Sequence, residues 1–417
     1  MNEIPSLETC CDPPSAPLGQ PRHQFTVDVF RAFLRLGVSC FGGPIAHIGY
    51  FHSEFVTRRK WLGEAAFADL LALCQFLPGP TSSQLGFSIG LARAGYRGGL
   101  AAWMGFTLPS AIVMVLFAYG AGAATGPYAQ ALLHGLRLVA VAIVAQAVWG
   151  MARTLSRGLA RASITLGSIL IALLIHSTWA QLTAIVSGAA AGWLLCGPTE
   201  SADIGSSVRI CVSRHVAAGC LATFLGLLSL PALLGQFVSS PGVELFSAFY
   251  RSGALVFGGG HVVLPLLQQA FVTPGWVTND VFLSGYGAAQ ALPGPLFSFA
   301  AYLGAIAHTT PRGITGAALG LVSIFLPGML ILLGALPYWQ ALRREPITRA
   351  MMSGASAAVV GLLAAALYRP LWVTSVTGTT DIGLVVAGFA LLVAWRTPPL
   401  LVVAAIPAAE LGLKMLA

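Results

Sequence analysis

Two stretches of the chain place a Pro-Gly-Pro turn beside side chains that donate hydrogen bonds. The first comprises Gln75, Pro78, Gly79, Pro80, Thr81, Ser82, Ser83 and Gln84, and the second comprises Gln290, Pro293, Gly294, Pro295 and Ser298. Proline removes a backbone N–H group and glycine adds conformational freedom, so both stretches interrupt any helix that contains them. A helix that restarts after such a break presents free N–H groups, which stabilise an anion. Both stretches are therefore predicted to bind an anion, although their polar side chains also suit the simpler role of satisfying the broken backbone.

Glycine clusters precede two further predicted helix starts. Gly42 and Gly43 follow Phe41, and Gly258 and Gly259 lie just before His261. In one interpretation these clusters form a second pair of helix N-termini that face the substrate. In the other, small residues simply allow helices to pack closely in a membrane. Their recurrence ahead of each Pro-Gly-Pro stretch favours the functional interpretation.

Two arginines lie inside apolar stretches at equivalent positions, Arg35 and Arg251. A cation in the membrane interior is costly and therefore suggests a function. The guanidinium group also presents a rigid fork of donors that suits a tetrahedral oxyanion. The alternative is that each side chain extends to the membrane interface, and the sequence does not decide between the two.

Three titratable residues are candidates for a coupled proton: His47, His261 and Asp69. Histidine titrates near physiological pH, and Asp69 falls inside an apolar run, where a carboxyl group is costly. A hydrogen-bonded packing role is the competing interpretation for both histidines.

The composition predicts a membrane protein. The chain has 417 residues, of which 56% are hydrophobic and only 9% are charged, against about 25% in a typical soluble domain. Its formal charge of +8 fits the basic cytoplasmic loops of membrane proteins, and no basic stripe lies on a polar domain, so nucleic-acid binding is not expected. The chain contains no HExxH, GxSxG or phosphate-binding-loop motif, so no catalytic residue, metal site or cofactor is expected.

The chain contains an internal duplication. Gly79 and Gly294 are 215 residues apart, and Arg35 and Arg251 are 216 apart; the surrounding residues match at nearly the same offset. This repeat predicts four parts: a disordered cytoplasmic tail at 1–24, a first repeat at 25–200, a connecting loop and linking helix at 201–240, and a second repeat at 241–417.

Apolar run lengths predict an all-α polytopic membrane protein. Nine runs are predicted to cross the membrane, near 99–122, 131–152, 162–176, 179–196, 215–237, 314–336, 350–368, 380–395 and 398–416. Four further apolar segments carry a Gly/Pro break and either cross or re-enter, near 26–50, 65–92, 244–270 and 281–308. With the N-terminus in the cytoplasm, most lysines and arginines fall on the cytoplasmic side. Five spans between the repeats invert the second relative to the first, an arrangement typical of secondary transporters.

The glycine clusters, the two Pro-Gly-Pro stretches and the duplicated plan resemble the chromate ion transporter family, in its long two-domain bacterial form. The resemblance covers nearly the whole chain. It implies proton-motive-force-driven export of chromate across the bacterial inner membrane, which confers chromate resistance, with sulfate as the look-alike anion. The residues alone predict a secondary transporter for a small anion. They leave three alternatives open: an anion channel, an uptake carrier and a membrane-embedded enzyme. The oligomeric state is also open, with a homodimer as one option.

Overall fold

The computed structural model describes residues 22–41, 43–123, 126–174, 180–196, 210, 212–234, 240–257, 260–342 and 345–416. Every regular element in this part of the chain is helical. The predicted tail at 1–24 lies almost entirely outside the described residues.

The first half of the described chain contains seven helices. They are α1 Arg22–Ser39, α2 Gly43–Phe51, α3 Glu64–Phe76, α4 Thr81–Ala123, α5 Pro127–Leu155, α6 Leu159–Leu174 and α7 Ala180–Leu195. A short π-helical stretch, His52–Arg58, follows α2. Helix α8, Arg214–Leu234, lies between the halves.

The second half of the described chain repeats this order with more interruptions. Its helices are α9 Pro241–Ala254, α10 Val263–Phe271, α11 Asn279–Ala289, α12 Phe299–Ile306, α13 Gly313–Ala335, α14 Trp339–Leu342, α15 Pro346–Ala366, α16 Val373–Ser375, α17 Thr379–Val393 and α18 Pro399–Leu416. Short 3₁₀ turns at Gly260–Val262 and Leu296–Ser298 precede α10 and α12, and a π-helical stretch, Leu367–Trp372, joins α15 to α16.

The helical segment that follows each Pro-Gly-Pro stretch is short and folds back on the segment after it. Helix α4 bends sharply at Ala94 and Gly95, where the backbone leaves helical geometry. A Cβ atom on Gly90 would lie 2.3 Å from the carbonyl oxygen of Gly98, so the two legs of α4 are in direct backbone contact. In the second half, Gly304 of α12 contacts Gly316 of α13 in the same way. The bend in α4 agrees with the predicted separation between the broken segment at 65–92 and the span at 99–122.

The two halves interlock through their long helices. Helix α5 packs against α17 and α18 of the second half, and α15 packs against α6 and α7 of the first. Small residues allow these contacts: Gly188 of α7 meets Ala358 of α15, and Gly135 of α5 meets Pro407 of α18. Neither half therefore buries its own apolar surface alone.

The fold is that of an all-α polytopic membrane protein, as predicted. Each of the nine predicted spans contains a helix within its described residues; residues 175–179 and 235–239 lie outside the described part. The segments predicted at 162–176 and 179–196 contain α6 and α7, which pack against each other. Within the described residues, four stretches are long and apolar enough to cross a membrane: Thr81–Ala121, Pro127–Leu155, Gly313–Tyr338 and Pro346–Ser375. Helix α17 has 15 residues, shorter than the roughly 20 residues of a full span, and the described parts of α6 and α7 have 16 residues each. The opposed orientation of the repeats stays a prediction.

Candidate functional site at four helix breaks

Four breaks interrupt the apolar helices at the positions that the sequence predicts. The first break lies between α1 and α2, the second between α3 and α4, the third after α9, and the fourth after α11. The second and fourth breaks contain the two Pro-Gly-Pro stretches. Gly42, Gly258 and Gly259 lie outside the described residues, whereas Gly43 begins α2.

A pair of equivalent hydrogen bonds joins these breaks across the two halves. The N–H of Gly79 in the second break donates to the carbonyl oxygen of Val256 in the third, at 2.7 Å. The N–H of Gly294 in the fourth break donates to the carbonyl oxygen of Cys40 in the first, at 3.0 Å. The two carbonyls lie just beyond the ends of α9 and α1, where a helix leaves its last acceptors unpaired. Each half therefore satisfies a backbone carbonyl of the other.

The third and fourth breaks also meet directly, because the turn at Gly260–Val262 lies against the turn at Leu296–Ser298. The latter turn and α12 both pack on α4. All four breaks consequently form one contiguous region inside the protein.

Both Pro-Gly-Pro stretches need glycine. Gly79 has φ of +128° and Gly294 has φ of +97°, conformations that residues with a side chain rarely adopt. Space is also limiting: a Cβ atom on Gly79 would lie 2.7 Å from Gln84 Nε2. On Gly294 it would lie 3.0 Å from both the Phe106 carbonyl oxygen and Ser110 Oγ.

Gln84 holds the second break together. Its Nε2 donates to the carbonyl oxygen of Pro78 at 3.0 Å and to that of Gly328 on α13 at 2.9 Å. The side chain is fully buried. The sequence suggested Gln84 only as one of several uncharged donors after the prolines. Its contact with Gly328, which is far away in the chain, has no signal in the sequence.

Buried polar atoms without a hydrogen-bond partner are concentrated around the breaks. Among the described residues they include atoms of Ser83, Gln84, Thr107 and Gln290. Ser83 follows the second break directly and Gln290 begins the fourth. Thr107 adjoins Phe106, whose carbonyl approaches Gly294. Because an unsatisfied buried polar group costs free energy, this concentration indicates a region that can accept a polar ligand.

The predicted site residues differ in how deeply they lie. Gly79, Pro80, Ser82, Ser83, Gly294, Pro295 and Ser298 are buried, and Gly43, Pro78, Thr81, Gln290 and Pro293 are partly buried. Gln75, in contrast, is exposed. The equivalence of Gln75 and Gln290 in the sequence is therefore not matched by an equivalent environment.

Arg35 and Arg251 both have exposed side chains, on α1 and α9 respectively. Each lies about one helical turn before a break, but its side chain is not buried with the groups that meet there. Their exposure favours the interpretation in which each side chain extends to the membrane interface.

The three proton candidates lie in different surroundings. His261 shares a hydrogen bond of 2.9 Å with the hydroxyl of buried Tyr286, beside Gln290. The buried ring of His47 packs edge-on against Phe106, with centroids 5.2 Å apart. Asp69 is 2% exposed and accepts a hydrogen bond of 2.9 Å from Trp339 Nε1, which belongs to the second half. Only the two histidines therefore adjoin the breaks; Asp69 joins α3 to α14.

Fold and site together define a multi-pass membrane protein of two interlocked repeats, with broken helices meeting in its interior. The chain belongs to the chromate transporter family, whose family model matches residues 27–193 and 243–411, one segment in each half.

Several relatives cover most of the chain. The "Probable chromate transport protein" of Synechococcus elongatus is 28% identical over 347 residues, which is 80% of this chain and 82% of the relative. The "Chromate transport protein" of Pseudomonas aeruginosa is 27% identical over 373 residues, or 88% of this chain and 87% of the relative. The protein of the same name from Cupriavidus metallidurans is 26% identical over 338 residues, or 80% of each. No solved structure matches the chain.

Proposed function

We propose that this protein is a secondary transporter that exports chromate from the cytoplasm across the bacterial inner membrane. Membership of the chromate transporter family and the names of the relatives support chromate as the cargo. The observation that carries the mechanism is the pair of crossed hydrogen bonds, Gly79 to Val256 and Gly294 to Cys40. Each bond ties the break before a restarting helix to the end of the first helix of the other half. Alternating access needs a region that both halves share in this way.

The ligand chemistry proposed for this region is the capture of a dianion by uncharged donors. The N-terminus of α4 supplies backbone N–H groups and the positive end of a helix dipole, with Ser82 and Ser83 in its first turn. The turn at Leu296–Ser298 supplies the equivalent groups of the second half. Such donors recognise a tetrahedral oxyanion without the strong attraction of a fixed cation, so the anion can leave again. In this mechanism Arg35 and Arg251 do not touch the cargo.

The membrane potential is a sufficient driving force on physical grounds. Export of an anion from a cell that is negative inside gains about 2.3 kcal/mol per charge per 100 mV. Because chromate carries two negative charges, the free energy gained per 100 mV is twice this value. Proton antiport through His47, His261 or Asp69 is an additional route, and export by either route would confer chromate resistance. In this proposal the N-terminus is cytoplasmic and the protein performs no chemistry on its cargo.

The experiment measures labelled chromate flux in proteoliposomes containing Gly79→Val, Gly294→Val or Gly167→Val protein. The first two side chains clash with buried groups at each break, whereas Gly167 on α6 has no neighbouring atom within 4 Å of its Cβ position. We expect at least a tenfold loss of flux in the first two variants and little change in the third, with similar amounts of folded protein. Normal flux in both Gly79→Val and Gly294→Val would overturn the proposal.

The same liposomes separate the transporter from a channel and chromate from sulfate. With the pH gradient and the potential clamped separately, a proton-coupled transporter accumulates chromate against its electrochemical gradient, whereas a carrier driven by the potential alone moves chromate downhill without single-channel currents. Purely downhill flux with single-channel currents would instead assign an anion channel. Equal transport of sulfate would assign a general oxyanion carrier.

A further inference from the structure

Outside the region of the breaks, three metal-ligating side chains come together from distant parts of the sequence. They are His134 on α5, Asp381 on α17 and Glu410 on α18, and one potential ligand atom of each lies within 4.8 Å of the other two. His134 Nε2 and Asp381 Oδ1 are 3.2 Å apart. The side chains of His134 and Asp381 are only 16% and 6% exposed, so the cluster is largely shielded from solvent.

The cluster carries more negative charge than its surroundings neutralise. Two carboxylates face one imidazole, and no arginine or lysine of the described chain forms an ion pair with either carboxylate. Arg137, one turn further along α5, is paired instead with Asp280 at 2.6 Å. Two carboxylates held close together in a shielded place repel each other unless a cation or proton lies between them.

The arrangement of the ligand atoms suits a divalent cation. Two ligands of a tetrahedral zinc ion, with bonds of about 2.0–2.1 Å, lie roughly 3.3 Å apart. His134 Nε2 and Asp381 Oδ1 share a hydrogen bond of similar length, 3.2 Å, so a cation fits between them in place of the shared proton. Glu410 has three rotatable bonds with which to bring its carboxylate to the same ion. One histidine and two carboxylates leave a fourth position for water.

Asp381 is rigidly held for this role. Its Oδ2 accepts hydrogen bonds from the Thr377 N–H at 2.8 Å, the Thr377 hydroxyl at 2.9 Å and the Gly378 N–H at 3.1 Å. These bonds fix the carboxylate at the start of α17 and leave Oδ1 facing His134. A ligand that is oriented by other hydrogen bonds is typical of metal sites.

We propose that His134, Asp381 and Glu410 form a binding site for one divalent transition-metal ion such as Zn²⁺, which ties α5 of the first half to α17 and α18 of the second. Its three residues are not among those of the helix breaks, and the proposal does not depend on the transport mechanism proposed above. A metal here would stabilise the interlocked packing of the two repeats. The sequence did not indicate this site because residues 134, 381 and 410 show no metal-binding spacing.

The test titrates Zn²⁺, by calorimetry, and Co²⁺, by visible absorption, into the full-length protein in lipid nanodiscs without a histidine tag. The variants are Glu410→Gln and His134→Gln. The matched controls are His52→Gln and Glu64→Gln. These two residues form a second His–carboxylate pair, with His52 Nε2 and Glu64 Oε2 2.7 Å apart. That pair lies at the surface, since the side chain of His52 is 40% exposed and that of Glu64 is 74% exposed. Glu410→Gln is the decisive variant, because Glu410 makes no hydrogen bond or ion pair within the described chain that the substitution would break.

We expect one ion per chain, a tetrahedral Co²⁺ spectrum, and at least tenfold weaker binding in Glu410→Gln and His134→Gln than in the controls. Zn²⁺ should also raise the unfolding temperature of the wild type and of both controls, but not that of Glu410→Gln. Absence of binding would overturn the proposal. Unchanged affinity in Glu410→Gln, or an equal loss in the His52→Gln control, would overturn it too.

Discussion

At the residue level, the contacts between the helix breaks of the two halves depend on backbone groups rather than on charged side chains. Gly79 and Gly294 each donate a backbone N–H to a carbonyl of the opposite repeat. At both positions φ is positive, and a Cβ atom would lie 3.0 Å or less from a neighbouring atom. In an apolar interior an unpaired carbonyl is costly, so these bonds hold the broken ends in place. The side-chain amide of Gln84 acts in the same way, because it donates hydrogen bonds to the carbonyl oxygens of Pro78 and Gly328.

Gln84→Met should destabilise the protein without changing the shape of the side chain greatly. The substitution removes both donated bonds and leaves the carbonyls of Pro78 and Gly328 unpaired in a buried place. We expect a loss of about 1–3 kcal/mol in the free energy of unfolding, measured in detergent by denaturant or thermal unfolding. Gln130→Met, at an exposed position on α5, is the control and should change little. Equal free energies of unfolding for Gln84→Met and Gln130→Met would show that Gln84 does not stabilise the second break.

Asp69→Asn tests whether this carboxyl group carries a coupled proton. Asparagine can still accept the hydrogen bond from Trp339, so the contact between α3 and α14 should survive while titration is lost. We expect chromate flux driven by potential to persist and its stimulation by a pH gradient to disappear. Glu244→Gln, exposed at the start of α9, should keep the stimulation. Undiminished stimulation in Asp69→Asn would assign the proton to another group.

At the level of the helices, close packing of small residues determines which elements meet. Helix α7 lies against α15 because Gly188 and Gly192 face Gly354. A Cβ atom on Gly354 would lie 2.1 Å from the Gly188 carbonyl oxygen, so only glycine permits this approach. Association of helices in a membrane relies on such packing, since lipid is as apolar as the side chains that it replaces.

Gly354→Val should separate α7 from α15 and destabilise the interlocked halves. We expect a lower unfolding temperature in detergent and greater protease sensitivity, because the valine side chain would overlap the backbone of α7. Gly167→Val on the neighbouring α6, where the Cβ position is open, controls for the effect of valine on a helix. A loss of stability no greater than that of the control would contradict the assigned packing.

At the level of the whole molecule, the repeats are related in sequence and intertwined in space. Helix α5 of the first half packs on the last two helices of the second half, and α15 of the second half packs on the last two helices of the first. If the repeats are inverted as predicted, this arrangement suits alternating access. Repeats of opposed orientation can open a shared site first to one side of the membrane and then to the other.

The inversion predicts opposite labelling of two equivalent loops. Lys60 and Thr273 are both exposed, the first after α2 and the second after α10. Cysteines introduced at these positions in a cysteine-free background should react with a membrane-impermeant maleimide from opposite sides of the membrane. Labelling at position 60 from the cytoplasm would also indicate that the first two broken segments re-enter rather than cross. Labelling of both positions from one side would rule out inverted repeats.

The sequence by itself determined the membrane class, the duplication, the helical segments and the four breaks. These features follow from local physics: run length, composition, and the inability of Pro-Gly-Pro to continue a helix. The same local reasoning gave equal weight to Gln75 and Gln290 and suggested Arg35 and Arg251 as ligands. It could not show that Gln75, Arg35 and Arg251 are exposed.

Only the tertiary structure decided which breaks meet, that Gln84 braces Gly328, and that His134, Asp381 and Glu410 converge. Each of these contacts joins residues far apart in the chain, and each results from how two interlocked repeats pack. The periodicity of one segment contains no information about its packing partner. Local composition therefore predicts where a helix must end, whereas only packing determines which backbone or side-chain group it meets there.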